Sequence, residues 1–259
     1  GDARLKLGGV KVFLDGGASL GTALMRDPFP DDRCKCGIQV TPTESFRQIA
    51  WQCARQGWSL GVHVVGGKAI DIALDIFSEI DREIPLHALR FTLIHAYLWP
   101  SRRNLSEAAR MGIAVATQCS MQYAFGSLLV QRFGAGLMAA ATPVRSWLDA
   151  GVVVGGGSDS PVTPYQPLLG LWQARTRHIA GSDEVIGHHE AISGEEALAL
   201  YTRSAAYLCF SEAERGMLRP GMLADWTVLS VNPVNCEPEA LRSAGVLATV
   251  VDGQTVFEA

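Results

Sequence analysis

Short apolar segments alternate with amphipathic ones along most of the chain. Runs of Val, Ile, Leu and Gly predict five strands, at 10–14, 59–65, 89–95, 113–117 and 152–156. The segments between and after them predict helices, at 43–56, at 68–83, at 102–110, in a stretch ending near 148, and at 167–177. Strands that are apolar at every position are typical of a parallel sheet covered on both faces. Five strand-then-helix units in a row therefore predict an α/β protein, either a barrel or a doubly wound sheet.

The pattern changes after Ser193. A helical stretch to about residue 208 is followed by a turn-rich segment and by predicted strands at 226–229 and 246–251. Asp252-Gly253 predicts a hairpin turn into a last strand near 255–257. We therefore divide the chain into an α/β part, residues 1–215, and a β-rich segment, residues 216–259.

Composition and charge narrow the function classes. The 259 residues are 48% hydrophobic and carry 22 Lys and Arg against 26 Asp and Glu, a net charge of −4 without any basic run. We therefore expect neither a nucleic-acid partner nor a membrane partner. No apolar stretch reaches the roughly 18 residues of a membrane-spanning helix. Cys34-Lys35-Cys36 has no second cysteine pair to complete a zinc site, so we expect reduced thiols and a cytoplasmic location.

Four ionisable residues lie in or just after predicted strands, where burial is expected: Lys11, His63, His95 and Asp159. Taken alone, a buried histidine is more often a satisfied core residue, and a lone lysine more often reaches solvent or a carboxylate. Four such residues on four strands carry more weight together, because the carboxyl ends of barrel strands form one catalytic rim. Two imidazoles and a carboxylate predict a site for a divalent metal, with zinc as the first expectation.

Other catalytic signatures are weaker. The chain has no Gly-x-Ser-x-Gly motif, which disfavours a serine hydrolase. Gly155-Gly156-Gly157 lacks the Lys-Ser/Thr of a phosphate-binding loop.

Several segments carry a family resemblance, and they occur in the family's order along nearly the whole chain: Gly9 to Gly16 (GVKVFLDG), His63 to Gly66 (HVVG), Ile94 to Ala96 (IHA), Gly157 to Val162 (GSDSPV), Glu196 to Thr202 (EALALYT), Gly216 to Asp225 (GMLRPGMLAD) and Val250 to Gly253 (VVDG). On these residues the chain resembles the C-terminal half of the metal-dependent amidohydrolase superfamily. The resemblance is strongest to amidohydrolase family 3, which includes N-substituted formamide deformylases.

The resemblance implies a fold and a set of site residues. Residues 1–215 would form part of a TIM (β/α)8 barrel, strands four to eight with their helices, and residues 216–259 would contribute strands to a small β-sandwich. Lys11 would be the fourth-strand lysine that binds metal once CO2 has carboxylated it. His63 and His95 would be the fifth- and sixth-strand metal ligands. Asp159 would be the eighth-strand carboxylate that binds metal and acts in catalysis.

The same resemblance implies an activity. The expected reaction is hydrolysis of a non-peptide C–N bond in a small-molecule amide, formamide or cyclic amide by a metal-activated water. The metal would lower the pKa of the bound water towards about 7 and polarise the carbonyl. Asp159 would take the proton of the attacking water and pass it to the leaving amine.

The chain also departs from the family pattern. Gly66-Gly67-Lys68-Ala69 stands where Gly-Asp-x-Ala is usual, and Ile94 stands where Glu is common, so two carboxylates near the site are replaced. No His-x-His motif occurs, and the family uses that motif for two metal ligands, which leaves the number of metal ions, one or two, open.

Because of these departures, more than one function is considered for the chain. The chain is expected to be the C-terminal half of a hydrolase, which would form homo-oligomers or associate with an N-terminal half. One alternative is a non-catalytic fragment or split-gene module that needs a partner chain to complete the barrel. Another is a different barrel enzyme, such as a phosphotriesterase-like hydrolase or a deaminase. The segment from Gly216 to Asp225 argues against the compact phosphotriesterase type.

Overall fold

The computed structural model describes residues 5–30 and 35–259. Cys34, the first residue of the predicted Cys-Lys-Cys segment, lies outside the described residues. The described cysteines are free thiols: Cys36, Cys53, Cys119, Cys209 and Cys236.

Five parallel strands form one sheet, in which strands that are consecutive in the sequence are hydrogen-bonded neighbours. The strands are β1 (Val10–Phe13), β2 (Leu60–Val64), β3 (Thr92–His95), β4 (Ala114–Thr117) and β5 (Val154–Gly156). Helices lie between all consecutive strands of this sheet, because parallel neighbours need a crossover connection, which is usually a helix. This arrangement confirms the predicted α/β class, since sequential parallel strands with intervening helices are the repeat of a (β/α) barrel.

The α-helices are α1 (Thr43–Arg55), α2 (Gly67–Asp81), α3 (Arg102–Met111), α4 (Cys119–Phe133), α5 (Ala135–Met138), α6 (Val144–Asp149), α7 (Pro167–Thr176), α8 (Gly194–Tyr201), α9 (Arg203–Leu208) and α10 (Ala240–Ser243). Of these, α1, α2, α3 and α7 begin and end close to the predicted positions, the helical stretch predicted from 194 to about 208 is divided into α8 and α9, and α10 was not predicted. The single stretch predicted to end near residue 148 is in fact three helices. Gly134, with φ of 81°, ends α4, and Pro143 precedes α6 because its ring removes a backbone donor.

The main core lies between the sheet and its helices. Along β2, Leu60, Val62 and Val64 are buried, whereas Gly61 and His63 are only half-buried. On β2, the face that carries Gly61 and His63 is thus less covered than the face that carries Leu60, Val62 and Val64. Helices pack on one face, while the other face lines a cavity.

A second, antiparallel sheet follows, with strands β6 (Trp226–Leu229), β7 (Val246–Val251) and β8 (Gln254–Glu258). Asp252 and Gly253 have φ of 49° and 74°, the pair of positive values that a type I′ hairpin turn needs, so the predicted turn is confirmed. The division of the chain at residue 216 stays a prediction.

Within the two described ranges, no helix combines the length and the apolar character needed to cross a bilayer.

Candidate metal and catalytic site

A cavity of about 550 Å³ opens at the carboxyl ends of the strands. Its lining includes all four site residues expected from the sequence, Lys11, His63, His95 and Asp159. The cavity has the size of an ordinary small-molecule site. The tertiary structure therefore gathers residues that are up to 148 positions apart in the sequence, from Lys11 to Asp159, around one space.

The two imidazoles face each other. The ring centroids of His63 and His95 are 4.5 Å apart, with an angle of 74° between the ring planes. The strand register pairs His63 with Ile94, so regular alternation would send the side chain of His95 to the opposite face of the sheet. His95 has a φ of 75°, and Ala96 follows with 46°. This left-handed backbone, costly for residues other than glycine, accompanies the turn of His95 towards His63.

Gln118, just after β4, orients the His95 ring. Its Nε2 donates a hydrogen bond to the Ala116 carbonyl at 3.2 Å, which leaves its Oε1 facing His95 Nδ1 at 2.6 Å. An amide oxygen can only accept, so His95 carries its proton on Nδ1. The lone pair of the neutral ring then lies on Nε2, the atom available to a metal.

The His63 ring is oriented by a backbone carbonyl. Its Nε2 lies 3.3 Å from the Gly16 oxygen, and the ring packs 4.7 Å from the Phe13 ring. Since a carbonyl only accepts, this contact requires a proton on Nε2 and leaves the lone pair on Nδ1.

Burial keeps both rings neutral. Loss of solvent lowers the pKa of His63 below its usual 6.5, and the charge of Lys11 lowers it further. Burial also lowers the pKa of His95 to about 3, helped by His63 and Lys11. Neutral imidazole is the form that binds metal ions, so both residues are ready to act as ligands near neutral pH.

Asp15 is a site residue that the sequence reasoning missed. It is buried and accepts three backbone hydrogen bonds of 2.9 Å, from Leu24, Val65 and Gly66. One of its oxygens also lies 3.8 Å from His63 Nε2. Burial raises its pKa to about 6, against the opposing effect of these hydrogen bonds. Asp15 thus ties the end of β1 to the segments that follow both β1 and β2, next to His63.

The signal for Asp15 and Gln118 was present in the sequence. Gln118 directly follows β4 and Asp15 lies two residues after β1, so both are polar residues close to the end of an apolar strand, as are His63, His95 and Asp159. Only the folded structure shows that Gln118 contacts His95 and that Asp15 lies beside His63 in the lining of the cavity.

Lys11 and Asp159 are exposed, so the expectation that all four residues are buried is wrong for these two. Lys11 lies on β1, which has a strand neighbour on one side only among the described residues, and its Nζ lies 4.8 Å from the Phe13 ring. Asp159 lies in the loop after β5, with a φ of 55°. Both side chains line the cavity from its solvent side.

The donor set fits a divalent metal in part. Two neutral imidazoles in contact are ligands that zinc and related ions accept. Lys11, Asp159 and Asp15 also line the same cavity. In the described part of the chain, no three His, Cys, Asp or Glu side chains are gathered closely enough to hold an ion by themselves. A metal ion at this site would therefore need donors in addition to the two histidines.

Fold and site together define a (β/α) protein with a two-histidine cavity at the carboxyl ends of its strands. Comparison with known proteins gives the family: the profile described as the Amidohydrolase family matches residues 1–257. The chain belongs to this family, which confirms the resemblance seen in the sequence.

Curated relatives match along almost the whole chain. Identity is 30% over 256 residues with YtcJ of Bacillus subtilis and 30% over 261 residues with the N-substituted formamide deformylase of Arthrobacter pascens. Each alignment covers 98% of this chain, and 48% and 46% of the respective relative. The chain thus spans about half the length of these relatives.

Solved structures show the same fold. A metal-dependent hydrolase from Pyrococcus horikoshii aligns with a TM-score of 0.76 and 24% identity, covering 88% of this chain and 45% of that one. One from Pyrococcus furiosus aligns with a TM-score of 0.71 and 26% identity, covering 86% and 44%.

Proposed function

We propose that this chain carries ligands and a proton-transferring group of a metal-dependent hydrolase that cleaves the C–N bond of a non-peptide amide. Lys11, His63, His95 and Asp159 would bind the metal, and Asp159 would also act in catalysis. The observation that carries the proposal is the His63–His95 pair, 4.5 Å apart, neutral and oriented, on a cavity that Lys11 and Asp159 also line.

The names of related proteins support the reaction type. One relative that is 30% identical is an N-substituted formamide deformylase, and a fold neighbour that is 26% identical is a metal-dependent hydrolase. A structure of the atrazine chlorohydrolase TrzN, a more distant fold neighbour with a TM-score of 0.56, contains zinc. Zinc is the ion that we propose first, because neutral imidazoles and carboxylate oxygens are its usual ligands.

The chemistry requires a polarised carbonyl and a proton carrier. When bound, a divalent metal supplies the Lewis acid that polarises the carbonyl and acidifies water. In the overall reaction the water oxygen bonds to the carbonyl carbon and the C–N bond breaks. Asp159 takes a proton from the water and returns it to the departing nitrogen, so the products are an acid and an amine. Lys11, carboxylated on Nζ by CO2, would supply an additional oxygen donor.

Metal retention by histidine variants tests the proposal. We expect the folded chain, incubated with Zn²⁺ and freed of excess ion, to keep about one ion, the number that one site holds. His95→Ala should lose most of it, because the variant has one imidazole left. His189→Ala is the matched control, since His189 is exposed and lies outside the cavity lining.

Plasma mass spectrometry measures the zinc content per chain of the three folded proteins: the unchanged chain, His95→Ala and His189→Ala. Equal metal content in His95→Ala and in the unchanged chain would overturn the site assignment. Loss in both histidine variants would instead indicate non-specific binding.

A second candidate function is a non-catalytic module that acts with a partner chain. It is favoured by exposed apolar side chains on β1, where Phe13 is 49% exposed. It is also favoured by the lack of a three-ligand set among the described residues. A folded chain that retains no metal would support this second candidate.

A further inference from the structure

One wall of the cavity is made by a single helix face. Met121, Phe125 and Leu129 of α4 follow one another at intervals of four residues, so their side chains lie along one side of the helix. All three line the cavity. Met121 and Phe125 are half-buried and Leu129 is buried, which places this stripe at the border between the packed and the open sides of α4.

The surroundings of this stripe are apolar as well. Val65 and Tyr97 line the same cavity and pack in one cluster with Met121, Phe125 and Leu129. None of these five side chains carries a charge. The histidines and the charged groups of the cavity lie instead around His63, which contacts His95 and Phe13 and feels the charges of Lys11 and Asp159.

A cavity of this kind favours an amphipathic ligand. A ligand with only a small polar amide would leave the α4 wall exposed to water, whereas a ring or branched chain would remove that apolar surface from water. The α4 wall offers no charged side chain to pair with a charged group on that part of the ligand.

We propose that the cavity selects neutral amides with a bulky apolar substituent, an aromatic ring or a branched alkyl group. The substituent packs on Met121, Phe125 and Leu129 while the amide lies near His63 and His95. This inference rests on the proposed function for the orientation of the amide, but the apolar wall can be tested by binding alone.

The test compares two neutral amides, N-phenylacetamide and N-methylacetamide, which differ in the size of the nitrogen substituent. Binding to the whole chain is followed through the methyl NMR signals of labelled methionine, with the Met121 signal assigned from Met121→Leu. We expect N-phenylacetamide to shift the Met121 signal and to bind more tightly than N-methylacetamide.

Two variants of α4 show whether amide binding depends on the side chains that line the cavity or on any apolar side chain of this helix. Phe125→Ala should weaken binding of N-phenylacetamide about ten-fold, within the range that a lost apolar contact gives in a pocket. Leu128→Ala is the control, because Leu128 is 45% exposed and does not line the cavity. It should bind both amides like the unchanged chain.

A third variant keeps the test decisive if Phe125→Ala does not fold. Met121→Trp adds bulk to the wall, so it should weaken binding of N-phenylacetamide more than binding of N-methylacetamide, which is followed here through the NMR signals of the amides themselves. Equal binding of the two amides by the unchanged chain, or equal effects of Phe125→Ala and Leu128→Ala, would overturn the inference. So would a folded chain that binds no N-phenylacetamide.

Turnover distinguishes this inference from the proposed function. If N-phenylacetamide binds on the α4 wall but the zinc-loaded chain hydrolyses neither amide, the apolar wall stands and the hydrolase proposal fails. If both amides are hydrolysed equally well and Phe125→Ala has no effect on either, the hydrolase proposal stands and the apolar wall fails.

Discussion

His95 combines three constraints on one side chain. Its backbone has a positive φ of 75°, its Nδ1 lies 2.6 Å from Gln118, and its ring contacts His63. A positive φ costs about 1–3 kcal/mol for a residue that is not glycine, so the surrounding structure must hold it in place. Backbone strain and a fixed tautomer at the same residue are typical of a functional site.

Gln118 should determine which nitrogen of His95 is free. In Gln118→Ala the amide oxygen is absent, so we expect the His95 proton to be shared between both nitrogens and Zn²⁺ affinity to fall by about 10- to 100-fold. Gln118→Glu should retain the affinity, because a carboxylate also accepts from Nδ1–H. The nitrogen chemical shifts of the His95 ring report the tautomer without metal, and competition with a chelator reports the affinity.

Gln166→Ala controls for loss of a glutamine elsewhere, since Gln166 is exposed at the start of α7. If Gln118→Ala kept the tautomer and the affinity of the unchanged chain, Gln118 would be a packing residue only.

At the scale of elements, helix ends connect parts of the chain that are far apart in sequence. Ser193 and Glu196 form a capping box at the start of α8: the Ser193 hydroxyl accepts from the Glu196 amide, and the Glu196 carboxylate accepts from the Ser193 amide. The same carboxylate accepts two hydrogen bonds from Arg145 of α6, of 2.7 and 3.0 Å. One side chain therefore caps α8 and fixes it to α6.

We expect the contribution of Glu196 to the free energy of unfolding to decrease at acidic pH. The hydrogen bond from Arg145 holds the pKa of Glu196 at about 2, below its usual 4.5. Because the folded pKa is depressed, the stabilisation is complete above pH 4.5 and is lost as the pH falls from 4.5 towards 2. Glu196→Gln should cost about 1 kcal/mol at neutral pH, the order of an ion pair at the surface, while Gln still completes the capping box.

Urea unfolding of the unchanged chain and of Glu196→Gln over this pH range measures the effect. The difference in the free energy of unfolding between the two should shrink as the pH falls below 4.5. A difference that stays constant with pH would show that the charge of Glu196 contributes nothing. Glu195→Gln, an exposed neighbour, controls for loss of a negative charge at the start of α8.

At the scale of the molecule, β1 is an edge strand: among the described residues it pairs with β2 only. Its Val10 and Phe13 are exposed, and so is Phe257 on β8, an edge strand of the small sheet. Unpaired strand edges with apolar side chains are surfaces on which other chains associate. These features support the homo-oligomer or the partner chain expected from the sequence, and both stay predictions.

We expect the chain to associate with itself through these surfaces. Light scattering should give an average mass that rises with concentration, and Val10→Lys should reduce the rise, because a charged lysine on an edge strand opposes pairing. Leu218→Lys is the control, since Leu218 is also exposed but lies outside the strands. A mass that stays at that of one chain over a wide concentration range would contradict this expectation.

Periodicity located the elements well because strands and helices are local structures. The five strands of the parallel sheet and the hairpin at Asp252-Gly253 lie close to where the sequence placed them. The helical stretch ending near residue 148 is three helices rather than one, because the breaks at Gly134 and Pro143 interrupt a region that stays apolar and rich in helix formers.

The sequence by itself determined the α/β class, the family and the four residues that share the cavity, because polar residues at the ends of apolar strands must meet where parallel strands end. Only the tertiary structure decided how those residues are used. It left Lys11 and Asp159 exposed, turned His95 towards His63, and placed Asp15 and Gln118 against the imidazoles. It also aligned one face of α4 along the cavity. Burial, ring orientation and tautomer depend on contacts between distant segments, which a pattern of neighbouring residues does not contain.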